Sequence, residues 1–144
     1  MSIEENKAIE LRFFEEVVNK GELAVIDELF ATNFVDHSAV PGIAADREGL
    51  KQYFAMAHSA FPDFHSTLED MFAEGDKVVQ RFTARGTHKG EWMGIAPTGK
   101  QMAISGIAIH RITGGKIVEG WTSMDMLGAL QQLGVVPPPG QAGG

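Results

Sequence analysis

The sequence predicts an α+β fold in which three N-terminal helices pack on a strongly curved antiparallel or mixed sheet. Two observations indicate this class. Helical spacing of apolar residues dominates the first third of the chain, and extended runs joined by short turns follow it. Helices followed by strands are typical of α+β proteins. The length of 144 residues suits one domain, which we place at residues 1–136, with a flexible Pro- and Gly-rich tail at residues 137–144.

Composition and charge indicate which kinds of molecule the protein is expected to bind. The chain is 44% hydrophobic and 22% charged, as globular proteins are. No apolar run approaches the ~20 residues that span a bilayer, and the N-terminus is acidic, so we expect a cytoplasmic protein without membrane contact. The net charge of −7 argues against nucleic acid, and the absence of cysteine excludes disulfides and thiolate chemistry. A small hydrophobic molecule is the expected ligand.

The first predicted helix begins at Ser2, because Ser2 and Glu5 have the spacing of a capping box. Its buried stripe is predicted from apolar residues at helical spacing: Ala8, Leu11, Phe14, Val17 and Val18. A short second helix covers residues 22–30, whereas residues 33–37 form too short a run to assign. Asp46 can cap a third helix, which ends before Pro62.

Two hairpins are predicted in the rest of the chain. Their strands cover residues 64–73, 78–87, 101–112 and 116–126. Gly114-Gly115 forms the turn of the second hairpin. Residues 88–100 between the hairpins are rich in Gly and Pro and form a loop long enough to be functional. Residues 127–133 are predicted to form a last helical turn.

The second hairpin is predicted to gather polar side chains on one face. If Gly114-Gly115 is a two-residue turn, His110 lies opposite Glu119. The pairing then continues as Ala108–Trp121, Gly106–Ser123 and Ile104–Asp125. Because side chains alternate along a strand, four residues share the face of His110: Glu119, Trp121, Ser123 and Asp125. The small residues opposite them leave room, so the pattern predicts a lined cavity above the sheet.

Segments spread over nearly the whole chain carry a resemblance to a known family. They are Phe34–His37, Gly86–Glu91, Gly94–Lys100, Ile109–Ile112, Gly115–Trp121, Asp125 and Gln132–Gly134. In order and spacing they resemble the SnoaL-like polyketide cyclases, or ester cyclases, of the NTF2-like superfamily. The resemblance implies a cone-shaped barrel around an apolar pocket and a homodimer. It also implies aldol-type ring closure of an aromatic polyketide without metal or cofactor.

The resemblance also implies roles for individual residues. The family's catalytic acid/base, an aspartate near the end of the last strand, matches Asp125, and the histidine of the neighbouring strand matches His110. A buried carboxyl can take a proton from an activated carbon and return one to the new alkoxide. The histidine can bind the substrate's carbonyl or enolate oxygen. Substrate-binding residues are expected around this pair: His37, Trp121, Ser123, Phe14, Phe34, Trp92 and His88.

Each of these assignments has an alternative. Asp125 is also placed to cap a following helical turn, and His110 with Glu119 could form an exposed cross-strand pair. The aromatic residues are equally suited to the core. Arg81 and Arg85 share a strand face that points either to solvent or inward. No histidine spacing typical of a metal site occurs, so we expect no metal.

Three functions stay open at this point. The first is a cofactor-free cyclase or isomerase acting on a small apolar or aromatic carbonyl compound, with Asp125 as acid/base and His110 assisting. The second is an epoxide hydrolase or a ketosteroid-isomerase-like enzyme; the latter type uses a tyrosine, and Tyr53, on the third predicted helix, does not favour it. The third is a non-catalytic ligand carrier or dimeric interaction module, which an exposed Asp125 or a filled cavity would favour.

Overall fold

The computed structural model describes residues 2–137 and residue 140, so most of the predicted tail lies outside the described residues. The helices are α1, Ile3–Arg12, which continues directly as a π-helix over Phe13–Asn19; α2, Val25–Leu29; α3, Arg47–Ala60; and α4, Met126–Gln132. The strands are β1, Phe30–Asp36; β2, His65–Glu74; β3, Lys77–Thr87; β4, Gln101–Thr113; and β5, Lys116–Met124. None of these helices is both long and apolar enough to span a membrane.

The two predicted helix caps are confirmed. The hydroxyl of Ser2 accepts a hydrogen bond from the Glu5 amide at 3.0 Å, and the Glu5 carboxylate accepts one from the Ser2 amide at 3.3 Å. Asp46 accepts from the Gly49 amide at 2.9 Å and so begins α3. Both caps satisfy amides that the first turn of a helix leaves unpaired.

Three of the five residues in the predicted buried stripe of the first helix are buried. Phe14, Val17 and Val18 are buried, whereas Ala8 and Leu11 face solvent. The first turns bury two polar side chains instead, Asn6 and Glu10. The change to π-helical geometry after Arg12 then alters the spacing of the buried face. The spacing of apolar residues could not predict the buried face of α1, because the buried side chains there are polar.

The five strands form one curved sheet in the order β1-β5-β4-β3-β2. Both predicted hairpins form, as the antiparallel pairs β2–β3 and β4–β5. The second predicted helix is shorter than expected, because Phe30 leaves it to begin β1, which pairs in parallel with β5. The sheet is therefore mixed, and β1 and β2 are its two edges, so the barrel stays open between them.

A β-bulge changes the register of the second hairpin. Ile112 pairs with Ile117 as predicted, but Arg111 then pairs with Glu119, which leaves Val118 as an extra residue. From there His110 pairs with Gly120, so its predicted pairing with Glu119 is wrong. Because a shift of one residue exchanges the two faces of a strand, the odd-numbered residues from 119 to 123 point away from His110.

Two apolar clusters fill the space between the helices and the inner face of the sheet. The larger one joins the π-helix and α2 to β1, β4 and β5; its largest members are Phe13, Phe14, Ile26, Phe30, Phe34, Ile112 and Ile117. The smaller one lies between the end of α3, the loop after β3 and α4, and includes Phe61, Trp92, Ile104 and Leu133. Residues of both clusters line the candidate site, which lies between them.

Candidate functional site

A cavity of about 140 Å³ lies between α3, the π-helix and the inner face of the sheet. Most of its wall is apolar, and the aromatic part consists of Phe13, Phe14, Phe34, Phe54, Phe61, Phe64, Phe82 and Trp92. A dry apolar cavity of about 150 Å³ holds a benzene molecule. The cavity therefore has about the size of one small aromatic ring.

Small residues on β4 and β5 decide where the cavity is open. Ala108 lines it, whereas the space above Gly106 is taken by the ring of Phe82, which a Cβ at position 106 would approach to 2.5 Å. At Gly120 a Cβ would lie 3.0 Å from the ring of His110. Because Gly120 has no side chain, the His110 ring packs directly over it, and we call the part of the cavity that borders both residues the gap.

His110 lies on the inner face of β4 and lines the cavity with 6% of its surface exposed. The edges of Phe13 and Phe30 hold its ring, at centroid distances of 5.6 and 5.9 Å. Its Nδ1 atom lies 2.6 Å from the Glu10 carboxylate. Its Nε2 atom has no hydrogen-bond partner among the described residues and lies on the Gly120 side. One ring nitrogen is thus held by the protein, and the other faces the gap.

A second polar group borders the gap from β1. Asp36 pairs with Gly120 in the sheet, so Gly120 lies between Asp36 and His110. Asp36 accepts a hydrogen bond from the Ser38 amide at 2.9 Å, and the Ser38 hydroxyl accepts one from the Thr122 amide at 2.9 Å. Tyr53 of α3 completes this side of the wall. Burial raises the pKa of the Tyr53 hydroxyl, and the negative charge of Asp36 adds to the effect.

The cavity wall contains four of the nine residues expected to catalyse or to bind substrate: His110, Phe14, Phe34 and Trp92. Trp92 belongs to the loop after β3 and packs edge-on against Phe61, at a centroid distance of 5.4 Å, which closes one end of the cavity. Arg85 borders the cavity, whereas Arg81 is exposed on the outer face of β3. The described residues contain no group of three or more His, Asp or Glu side chains that could hold a metal ion.

Asp125 lies outside the cavity, and the expected buried acid is therefore not at this position. Its side chain is exposed and accepts a hydrogen bond from the Gly128 amide at 2.9 Å, as the N-cap of α4. The reason is local: β5 ends at Met124, and the chain turns into the helix at the next residue. Asp125 is therefore placed as a helix cap in the structure and not as a buried acid in the cavity.

His37, Trp121 and Ser123 lie on the outer face of the sheet rather than in the pocket. The rings of His37 and Trp121 stack at 4.9 Å with an angle of 13° between their planes. The His37 Nε2 atom is 2.9 Å from the Glu119 carboxylate. This hydrogen bond lowers the pKa of Glu119, and the Arg111 guanidinium adds to the effect. The bulge at Val118 accounts for this placement, because it exchanged the two faces of β5.

His88 is fully buried beneath the loop after β3 and does not line the cavity. Its Nδ1 atom lies 3.0 Å from the Thr98 hydroxyl, and its ring packs against Phe61. Its amide donates to Lys100. This histidine therefore fastens the two ends of the loop that carries Trp92, so its contribution to the cavity wall is indirect.

Sequence reasoning missed most of the polar groups at the cavity. Asp36 and Tyr53 line the wall, and Gln80 and Glu10 contact His110 from behind. The available signal was Gly120, since a glycine inside a strand indicates a close approach by another group. Nothing in the local pattern marks Glu10 as buried, because glutamates on helices are mostly exposed.

Comparison with known proteins agrees with this architecture. The family profile described as SnoaL-like polyketide cyclase matches residues 8–133. No curated protein sequence matches the chain. Among solved structures, IdmH from Streptomyces antibioticus, a candidate polyketide cyclase, is 35% identical, with 90% of this chain and 99% of that chain covered and a TM-score of 0.79.

Two further structures resemble the chain more in fold than in sequence. TsrD from Streptomyces laurentii has a TM-score of 0.86 at 26% identity, covering 94% of this chain and 99% of that one. AclR from Streptomyces galilaeus, a candidate hydroxylase, has a TM-score of 0.83 at 29% identity, covering 95% and 85%. The family profile extends over most of the helices and the whole sheet, including every residue of the cavity wall. The chain therefore belongs to the SnoaL-like polyketide cyclase family.

Proposed function

We propose that the protein catalyses proton transfer on a small apolar or aromatic carbonyl compound, without a cofactor, and that His110 is the catalytic base. One observation carries this proposal. His110 is the histidine in the wall of an apolar cavity, and its Nε2 atom lies on the side of Gly120, where both residues border the cavity. A base in such a place meets a bound molecule with little competition from water.

The same geometry supports aldol-type ring closure. His110 Nε2 takes a proton from a carbon next to a carbonyl group, and the enolate oxygen accepts a hydrogen bond from Tyr53. The raised pKa of Tyr53 keeps its hydroxyl protonated and able to donate. The enolate carbon then forms a bond to a second carbonyl carbon, whose oxygen becomes an alkoxide. That alkoxide takes the proton back from His110, so no proton is gained or lost overall.

The substrate class follows from the cavity and the relatives. A cavity of about 140 Å³ suits one small ring, and we propose that a short carbonyl side chain extends from this ring towards His110. The description of IdmH as a candidate polyketide cyclase supports a ring-forming reaction.

We also propose that the protein is a homodimer, as the resemblance implies. Two exposed apolar residues on the outer face of the sheet, Phe72 and Ile107, support this proposal. Light scattering coupled to size exclusion would test it.

Deuterium exchange tests the proposed base directly. Phenylacetone carries one aromatic ring and a methylene group activated by its carbonyl. We expect the protein to accelerate exchange of these methylene hydrogens in D2O, followed by proton NMR. His110→Asn should slow the exchange by about 10²–10⁴-fold. His65→Asn is the matched control, because His65 is exposed at the start of β2, and it should leave the rate unchanged.

The second candidate function is binding without catalysis. The exposed position of Asp125 favours it, because the acid expected for catalysis is not in the cavity. This candidate predicts that phenylacetone binds, with chemical-shift changes at the cavity residues, while its exchange rate stays at the uncatalysed value. Equal exchange rates with the wild type and with His110→Asn would therefore contradict the proposed catalysis and leave the binding module.

A further inference from the structure

A buried carboxylate lies directly behind His110, on the side away from the cavity. Glu10 of α1 is completely buried and is not part of the cavity wall. One carboxylate oxygen contacts His110 Nδ1 at 2.6 Å, and the other accepts a hydrogen bond from the Gln80 side-chain amide. Taking a carboxylate out of water costs free energy unless hydrogen bonds compensate. The contacts with His110 and Gln80 provide this compensation for Glu10.

The surroundings leave few other partners for this cluster. The remaining groups packed on His110 are apolar: the rings of Phe13 and Phe30, and Val78 on the neighbouring strand. Asp36, across Gly120, and Tyr53 are the other ionisable groups in the wall on this side. Among the described residues, Glu10 and His110 form an ion pair only with each other.

We propose that Glu10 is a positioning residue that fixes the protonation pattern of the His110 ring. This inference rests on the proposed role of His110 as the base. The Glu10 carboxylate accepts a hydrogen bond from Nδ1–H, because an ionised carboxylate can only accept and its 2.6 Å contact is shorter than the 3.2 Å contact between Nδ1 and the Gln80 amide nitrogen. With the proton on Nδ1, the lone pair of neutral His110 lies on Nε2, where it faces the gap beside Gly120.

Glu10 also supports the protonated state that His110 reaches during the reaction. When Nε2 takes a proton, the buried pair changes from one net negative charge to an ion pair with no net charge. The low-dielectric surroundings strengthen the attraction between the two ions. The carboxylate thus holds the ring in place and stabilises the imidazolium without touching the substrate.

The first test is the tautomer of His110 in the unaltered protein. With ¹⁵N-labelled histidine in the full chain, long-range proton–nitrogen NMR distinguishes a protonated from an unprotonated ring nitrogen. We expect a protonated Nδ1 and an unprotonated Nε2 in neutral His110. A protonated Nε2 in the neutral ring would overturn the proposal, and this result does not depend on any variant folding.

Two variants then test the dependence on the carboxylate. Glu10→Leu removes both acceptor oxygens, so the proton should move to Nε2, and phenylacetone exchange should fall by about 10–100-fold. Glu10→Gln keeps one acceptor oxygen and should give intermediate values of both. Phenylacetone affinity should stay unchanged in both variants. Glu15→Leu, an exposed position on the π-helix, is the matched control and should change neither tautomer nor rate.

The outcomes separate this inference from the proposed function. If phenylacetone exchange requires His110 but Glu10→Gln and Glu10→Leu keep the wild-type tautomer and rate, Glu10 is not a positioning residue and only this inference fails. If the wild type does not exchange phenylacetone at all, the proposed catalysis fails. The tautomer measurement still tests the link between Glu10 and His110 in that case.

Discussion

Replacing Asp125 by alanine tests whether this residue is a helix cap or a catalytic acid. Its carboxylate accepts one hydrogen bond, from the Gly128 amide at 2.9 Å, and its side chain is otherwise exposed. Asp125→Ala therefore removes a cap and no buried contact. The loss of an N-cap aspartate typically costs about 1 kcal/mol, within a range of about 0.5–2 kcal/mol.

The expected consequence is a modest loss of stability. For a chain of this size, about 1 kcal/mol lowers the unfolding temperature by roughly 3–4 °C. Asp125→Asn should lower it far less, because asparagine caps helices about as well as aspartate. Neither variant should change phenylacetone exchange, since the residue lies outside the cavity.

Urea unfolding followed by circular dichroism measures the change in free energy. Asp46→Ala is the matched control, because Asp46 makes the same hydrogen bond to Gly49 at 2.9 Å, as the N-cap of α3. The two alanine variants should lose similar stability. The reasoning is refuted if Asp125→Asn unfolds like the wild type but no longer exchanges phenylacetone, since Asp125 would then act in catalysis.

Two further predictions concern the gap beside Gly120 and the stability of the protein at acid pH. Gly120→Ala brings a Cβ to 3.0 Å from the His110 ring, so it should destabilise the fold by about 1–3 kcal/mol and slow phenylacetone exchange at least tenfold. Unchanged exchange in this variant would mean that the gap is not used. Hydrogen bonds from the Thr87 amide and hydroxyl, both 2.7 Å, lower the pKa of Asp63 in the folded state. Its stabilising contribution is present above the ordinary carboxyl pKa of about 4 and is lost as the pH falls further. The unfolding temperature should therefore fall less steeply below about pH 4 in Asp63→Asn than in the wild type; equal slopes would contradict this.

Local sequence signals predicted the elements that local interactions determine. The capping box at Ser2, the cap at Asp46 and the turn at Gly114-Gly115 each depend on residues within four positions of one another, and all three are present. Strand β1 was missed because its pairing with β5 is parallel and joins residues far apart in the chain. Its short sequence contains no signal of that partner.

The site was harder to predict than the fold because its residues depend on long-range register. The turn fixed the pair Ile112–Ile117, but the bulge at Val118 decided which residues of β5 face the cavity. His110 keeps its inward position whatever the register, since β4 is regular along its length. Glu10 could not be recognised, because only the folded sheet brings it within 2.6 Å of His110.

Val118 makes the lining of the cavity depend on the backbone at one position of β5. A deletion of this residue would leave Glu119 opposite Arg111 and Gly120 opposite His110, so the same side chains would still face inward. If Val118 instead took a regular place in the ladder opposite Arg111, each later residue of β5 would turn to the other face. Trp121 and Ser123 would then enter the interior, and Thr122 would leave it. One amino-acid sequence thus encodes two alternative linings, and the unpaired residue selects between them.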